Sequence, residues 1–177
     1  MPATALLLTA ALGVSACGDD DDTTGSTTTA PVAATPAPAA SETTPAAPTT
    51  VSKDTSSKPE IPKPAGDPPT KLVTEDIVEG KGNAAKAGDN VTMQYVGVSF
   101  STGEQFDASW DRGQPFPFQL GAGMVIPGWD QGIVGMKPGG RRELVIPPDL
   151  AYGPQGQPPA IGPNETLVFV VDLVSIA

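Results

Sequence analysis

The sequence has no histidine and a single cysteine, Cys17, among 177 residues. Without histidine, imidazole-based acid–base or nucleophilic catalysis is excluded. With one cysteine, so are an intramolecular disulfide and a cysteine-rich metal site. Basic residues are also scarce: 10 Lys and Arg stand against 20 Asp and Glu, a net charge of −10. Nucleic acid is not an expected partner, because it calls for a basic face. No Gly-x-Ser-x-Gly elbow, no Gly-x-Gly-x-x-Gly and no Gly-x-x-x-x-Gly-Lys occurs. A hydrolase triad and a phosphate-cradling loop are therefore unsupported, and neither a cofactor nor a metal is expected. Aromatic residues make up only 5% of the chain and all follow Lys71.

The N-terminal part cannot be read as a folded domain. Ala5 to Ala16 is an apolar stretch too short to span a bilayer, ending in Val14-Ser15-Ala16-Cys17. Small residues before a cysteine at that place resemble the lipobox of bacterial lipoproteins. The resemblance implies a signal peptide over 1–17, lipid attachment at Cys17, and an extracytoplasmic protein whose only hold on the cell membrane is its lipid anchor. Met1 to Leu8 departs from the pattern in lacking Lys and Arg. The alternative is an ordinary secretory peptide and a secreted protein. Residues 18–70 read as a disordered linker rich in Thr, Pro and Ala, whose only large aliphatics are Val32, Val51 and Ile61. Such a segment buries too little apolar surface to offset its ordering entropy. A fragment beginning near Lys71 is therefore expected to carry the whole activity.

Residues 71–177 are long enough for one core. Leu72–Val78 reads as a first strand. Val91 to Val98 alternates with period two, so Val91, Met93 and Tyr95 share a face. Gln105–Ala108 and Phe116–Leu120 read as further short strands, as does Arg141–Ile146. Thr166–Val174 is apolar almost throughout, which places it centrally. Pro147–Asn164 is a long loop. Between these lies Val125-Ile126-Pro127-Gly128-Trp129. Pro127 suits the first position of a helix, and Trp129, Ile133 and Met136 recur at helical spacing. Gly132, Gly135 and Pro138 keep that helix short. The expected fold is α+β, an antiparallel sheet with one short helix.

A short helix bearing a Trp among strands should plug one face of the sheet. Trp129 is then either the floor of an apolar pocket or a plain core residue, and its N–H calls for a partner or solvent. Tyr95, Phe106, Phe116, Phe118, Tyr152 and Phe169 join it as concentrated aromatic surface. Asp107 directly follows Phe106, and a carboxylate there must be paired or exposed. Arg112 is the evident partner.

Those residues, in this order and spacing, resemble the FKBP-type peptidyl-prolyl isomerases over roughly Leu72 to Ile176. The similarity runs through Tyr95, Phe106-Asp107-Ala108-Ser109, Arg112, Pro115 to Phe118, Val125 to Trp129, Gly140-Arg141-Arg142, Ala151-Tyr152-Gly153 and Leu167-Val168-Phe169. It implies a sheet half-wrapped around the short helix with the pocket between them. It also implies catalytic roles for Tyr95, Phe106, Asp107, Trp129, Tyr152 and Phe169. Substrate contacts are implied for Phe116, Val125, Ile126, Arg112 and, on a flap, Ile161. Gln157 and Ala160 depart from the family, which often has histidine and a larger aliphatic there. The implied partners are Xaa-Pro segments of exported proteins that are unfolded or partly folded, and macrolides of the class this family binds. The chain is expected to be a monomer. Asp107 either polarises the site or is a purely structural ion pair. A second reading is a non-catalytic module or chaperone that holds Pro-containing segments. A third, a structural surface protein, leaves the pocket residues unexplained.

Overall fold

Alternation over Val91–Tyr95 puts one row of side chains on each face of a strand, and that strand is the spine of the sheet. In the computed structural model, which describes residues 50–177, the strands are β1 (Val73–Val78), β2 (Asn90–Ser99), β3 (Gln105–Ala108), β4 (Phe116–Gln119), β5 (Arg141–Ile146) and β6 (Leu167–Ile176). The helices are α1 (Ser109–Arg112) and α2 (Pro127–Gly132), with single 3₁₀ turns at Pro148–Leu150 and Gly153–Gln155. The signal segment with Cys17, and the linker as far as residue 49, lie outside the described residues.

The six-stranded sheet is antiparallel in the order β1-β5-β6-β2-β3, with β4 alongside the start of β2. β6 is central, flanked by β5 and β2. Its inner row is Leu167, Phe169, Val171 and Leu173, and a bulge beyond Leu173 leaves Val174 exposed. The strand continues to Ile176, two residues past its expected end. On the inner face these side chains meet Trp129, Ile133 and Met136 in the main core. Gly128 and Gly132, one turn apart on α2, allow the close approach. A Cβ on Gly132 would lie 2.8 Å from Leu144, and one on Gly128 would collide with Ile146.

Two further features depart from the sequence expectation. The single turn α1, ended by Gly113 at φ 65°, was not anticipated, because four residues leave no periodicity to read. The second concerns residues 50–63, which were assigned to the linker. They lie against the outer face of the sheet, with Val51 only 6% exposed and Ile61 packed on a second apolar cluster. That cluster consists of Val96, Val98, Phe100, Ala108, Val145 and Val168, with Val73 and Trp110 at its edge. Sparse apolar residues cannot make a core of their own, but they can cover an apolar face that the rest of the chain supplies.

Candidate functional site

β2 supplies Tyr95 to the inner face, and two residues on Gly97 leaves room for two rings. A Cβ there would come within 2.7 Å of both Phe106 and Phe169. β3 presents Phe106 and Asp107, β6 presents Phe169, and β4 begins with Phe116. α2 enters from Val125 and Ile126 and sets Trp129, 4% exposed, beneath them. Trp129 meets Tyr95 at 5.0 Å and Phe169 at 5.2 Å between ring centroids, both edge to face. Phe106 meets Phe169 likewise at 5.4 Å. Such pairs add ~0.5–1.5 kcal/mol each beyond burial, so the rings hold one another in place. The indole N–H of Trp129 is buried without a hydrogen-bond partner among the described residues.

Together these residues line a cavity of about 200 Å³. Nine of the residues singled out from the sequence contribute to it: Tyr95, Phe106, Asp107, Phe116, Val125, Ile126, Trp129, Tyr152 and Phe169. The floor is buried, whereas Phe116 and Tyr152 form a half-open rim. Met124 also lines the cavity and is the most exposed large apolar residue on it. Sequence reasoning passed over Met124 because it sits in a Gly-rich turn with no periodicity. Ile161 is 2% exposed, packs in the main core and is not among the residues that line the cavity. Its backbone pairs with that of Gln157.

Arg112 does not line the cavity either; it acts on two residues that do. It bonds the Asp107 carboxylate through Nη1 and donates from Nη2 to the Tyr95 hydroxyl at 2.6 Å. The Tyr95 hydroxyl in turn donates to Asp107 Oδ2 at 2.5 Å. The guanidinium also stands 5.5 Å from the Tyr95 ring centroid. Burial, then the bond to Asp107, pushes the Tyr95 phenol up to about 12. Burial likewise raises the Tyr152 phenol, with the Asp107 charge adding to it. The Arg112 guanidinium is held above its usual range by the bonds to Tyr95 and Asp107. Both members of the Arg112–Asp107 pair are about half exposed. An ion pair so exposed contributes roughly 0–1 kcal/mol, so its main effect is to orient Asp107 and Tyr95.

A further carboxylate shapes the rim. Asp130, next to Trp129 on α2, accepts the backbone N–H of Gly121 at 2.8 Å and of Gly123 at 3.0 Å. It thereby ties the turn that carries Met124 and Val125 to the helix that carries the floor. No group of three or more His, Cys, Asp or Glu able to hold a metal occurs among the described residues.

The site is thus an aromatic cleft between the sheet and a short helix. Comparison with known proteins makes the assignment specific. Residues 81–174 match the family of FKBP-type peptidyl-prolyl cis-trans isomerases. The chain is 61% identical to the "FK506-binding protein" of Streptomyces anulatus over 120 residues, which cover 67% of this chain and 97% of that one. It is 52% identical over 118 residues to the "Probable FK506-binding protein" of Corynebacterium glutamicum, covering 67% and 98%. Among solved structures, that of AtFKBP13 is similar with TM-score 0.56 and 39% identity, over 60% of this chain and 93% of that one. FkpA from Escherichia coli is similar with TM-score 0.54 and 46% identity, over 59% and 47%. The chain belongs to the FKBP-type peptidyl-prolyl cis-trans isomerases and is an isomerase.

Proposed function

We propose that the cleft receives the prolyl ring of an Xaa-Pro segment on Trp129 and speeds rotation about the preceding amide by stabilising its twisted form. Rotation must break amide resonance, a barrier of about 18–20 kcal/mol, and needs neither a nucleophile nor a metal. The twisted amide is less polar than the planar one. A water-poor aromatic cavity therefore favours the transition state over the ground state, which is the condition for lowering the barrier. Tyr95, Phe106, Phe116 and Phe169 act as walls, with Val125 and Ile126 as one edge. The Ile126 N–H and the Tyr152 hydroxyl hold substrate carbonyls. Asp107, oriented by Arg112 and Tyr95, polarises the site. The same cleft takes macrolides of the FK506 class, the ligand in the names of the two bacterial relatives. The observation that carries this reading is the edge-to-face aromatic cage around Trp129.

The decisive experiment is isomerisation of short Xaa-Pro peptides by the purified protein, with kcat/KM followed across pH 6–8. Turnover should be nearly constant over that range. The sequence holds no histidine. The Tyr95 and Tyr152 phenols and the Arg112 guanidinium are all shifted upward, so each stays protonated and unchanged there. Binding of the peptide without turnover would assign the chain to the holding-module reading. A steep change of rate near neutrality would sink the uncharged-pocket mechanism.

The cellular setting rests on Val14-Ser15-Ala16-Cys17. On that motif the enzyme acts outside the cytoplasm, on exported proteins, held to the membrane by acyl chains on Cys17. Each buried CH₂ adds roughly 0.8 kcal/mol, so two or more chains anchor stably. Cys17→Ala should move the protein from the membrane fraction to the soluble fraction. A wild-type protein already soluble outside the cell, or a variant still membrane-bound, would overturn the anchor.

A further inference from the structure

We infer that residues 50–63 are a strap belonging to the isomerase domain, which closes the outer face of the sheet directly behind the pocket. Strands β2, β3 and β6 are two-sided. Tyr95, Phe106 and Phe169 face the cavity, while Val96, Ala108 and Val168 lie in the outer cluster. Without the strap that outer cluster would lose its cover at Ile61, and Val51 would lose its burial.

The strap is fastened at three places. The first is Arg141, which is fully buried. Its guanidinium bonds the Asp172 carboxylate through Nε at 2.5 Å and Nη2 at 2.7 Å. Two further donors go to the strap: Nη1 to the Ser52 carbonyl at 2.8 Å and Nη2 to the Ser57 carbonyl at 2.9 Å. A guanidinium removed from water needs its donors met, and two of the acceptors come from residues outside 71–177. The second fastening is Ile61 on the outer cluster. The third is Lys58 Nζ on Asp111 at 2.5 Å, which reaches α1, the turn that carries Arg112. Between Arg141 and the third fastening the strap makes its own turn, with Asp54 accepting from the Ser56 N–H at 3.0 Å. A crevice of about 670 Å³ remains beside it, walled by Lys58, Ile61 and Pro62 on the strap and by Val96, Val98 and Gln105 on the sheet.

A separate observation agrees. The similarity to the Streptomyces anulatus protein spans 120 residues of this chain, too many to fit within 71–177. It therefore reaches upstream into the strap, and it accounts for 97% of that relative.

The test uses the full chain. Val51→Asn combined with Ile61→Asn should lower the thermal midpoint by at least about 6 °C, whereas Lys53→Gln, at an exposed strap position, should leave it within about 1 °C. Native-state hydrogen exchange of the unaltered chain should show the Arg141 segment protected together with the rest of the sheet, and this protection should fall in the double variant. A double variant that melts with the wild type and exchanges like it would show that the strap merely rests on the surface. Equal losses in the double variant and in Lys53→Gln would likewise overturn the proposal, because the effect would not follow burial.

Discussion

Replacing Trp129 by leucine is expected to lower kcat/KM for Xaa-Pro isomerisation by at least about tenfold while the protein stays folded. A tenfold loss corresponds to about 1.4 kcal/mol of transition-state stabilisation. That is modest beside what the indole contributes to the cavity, where it meets Tyr95, Phe116, Phe118 and Phe169. Leucine keeps an apolar floor but removes the flat surface on which a prolyl ring can lie. Alanine is the wrong probe, since a large-to-small change of this kind costs ~3–5 kcal/mol of stability and confuses unfolding with lost chemistry. Asp107→Asn retains the shape of the rim and one oxygen acceptor, so its effect on turnover should be smaller than that of Trp129→Leu. Peptide kinetics with a denaturant melt of each variant check both statements. A folded Trp129→Leu enzyme with unchanged turnover and unchanged macrolide binding would remove Trp129 from the mechanism.

Arg141→Met should destabilise the protein by about 3–5 kcal/mol, the usual result of removing one partner of a buried ion pair. The side chains of Arg141 and Asp172 are 0% and 6% exposed. Burial pushes the Asp172 carboxyl upward and the bonds from Arg141 pull it back, so the two effects oppose each other at one site. Methionine leaves Asp172 without its partner and the Ser52 and Ser57 carbonyls without their donor. Arg141→Met with Asp172→Leu should recover more than half of the loss, because an apolar pair of similar volume carries no desolvation penalty. Urea midpoints of the two single variants and the double variant form the cycle. Additive losses, with no recovery in the double variant, would mean that the pair is not coupled as its geometry indicates.

The pocket was legible in the sequence for a simple reason. In a strand, alternate residues share a face, so Tyr95 was set on one side with Val91 and Met93, whereas Phe106 and Phe169 were joined to it by the resemblance to the isomerase family. Pro127 and Trp129 marked the helix start in the same local way. Asp107 and Arg112 lie five residues apart across one turn, and their pairing followed from proximity. Met124 and Asp130 carried no such signal. Their places depend on two hydrogen bonds from a Gly-rich turn to a helix, which no pattern of hydrophobicity records.

What the chain alone determined, then, is its inner face: the cluster of aromatics, the short helix and the central position of the last strand. The tertiary structure decided the outer face. Val51 and Ile61 are two isolated aliphatics in a Pro-rich stretch, and by composition they cannot offset the entropy of ordering it. Ile61 packs on an apolar surface that Val96, Val98, Phe100, Ala108, Val145 and Val168 assemble from strands β2, β3, β5 and β6 and the residue that follows β2, and Val51 is buried as well. Arg141 is likewise an ordinary turn-following basic residue until β5 and β6 pair and set Asp172 opposite it. Whether a weakly apolar segment orders depends on the surface it meets, and that surface exists only once strands distant in sequence have come together.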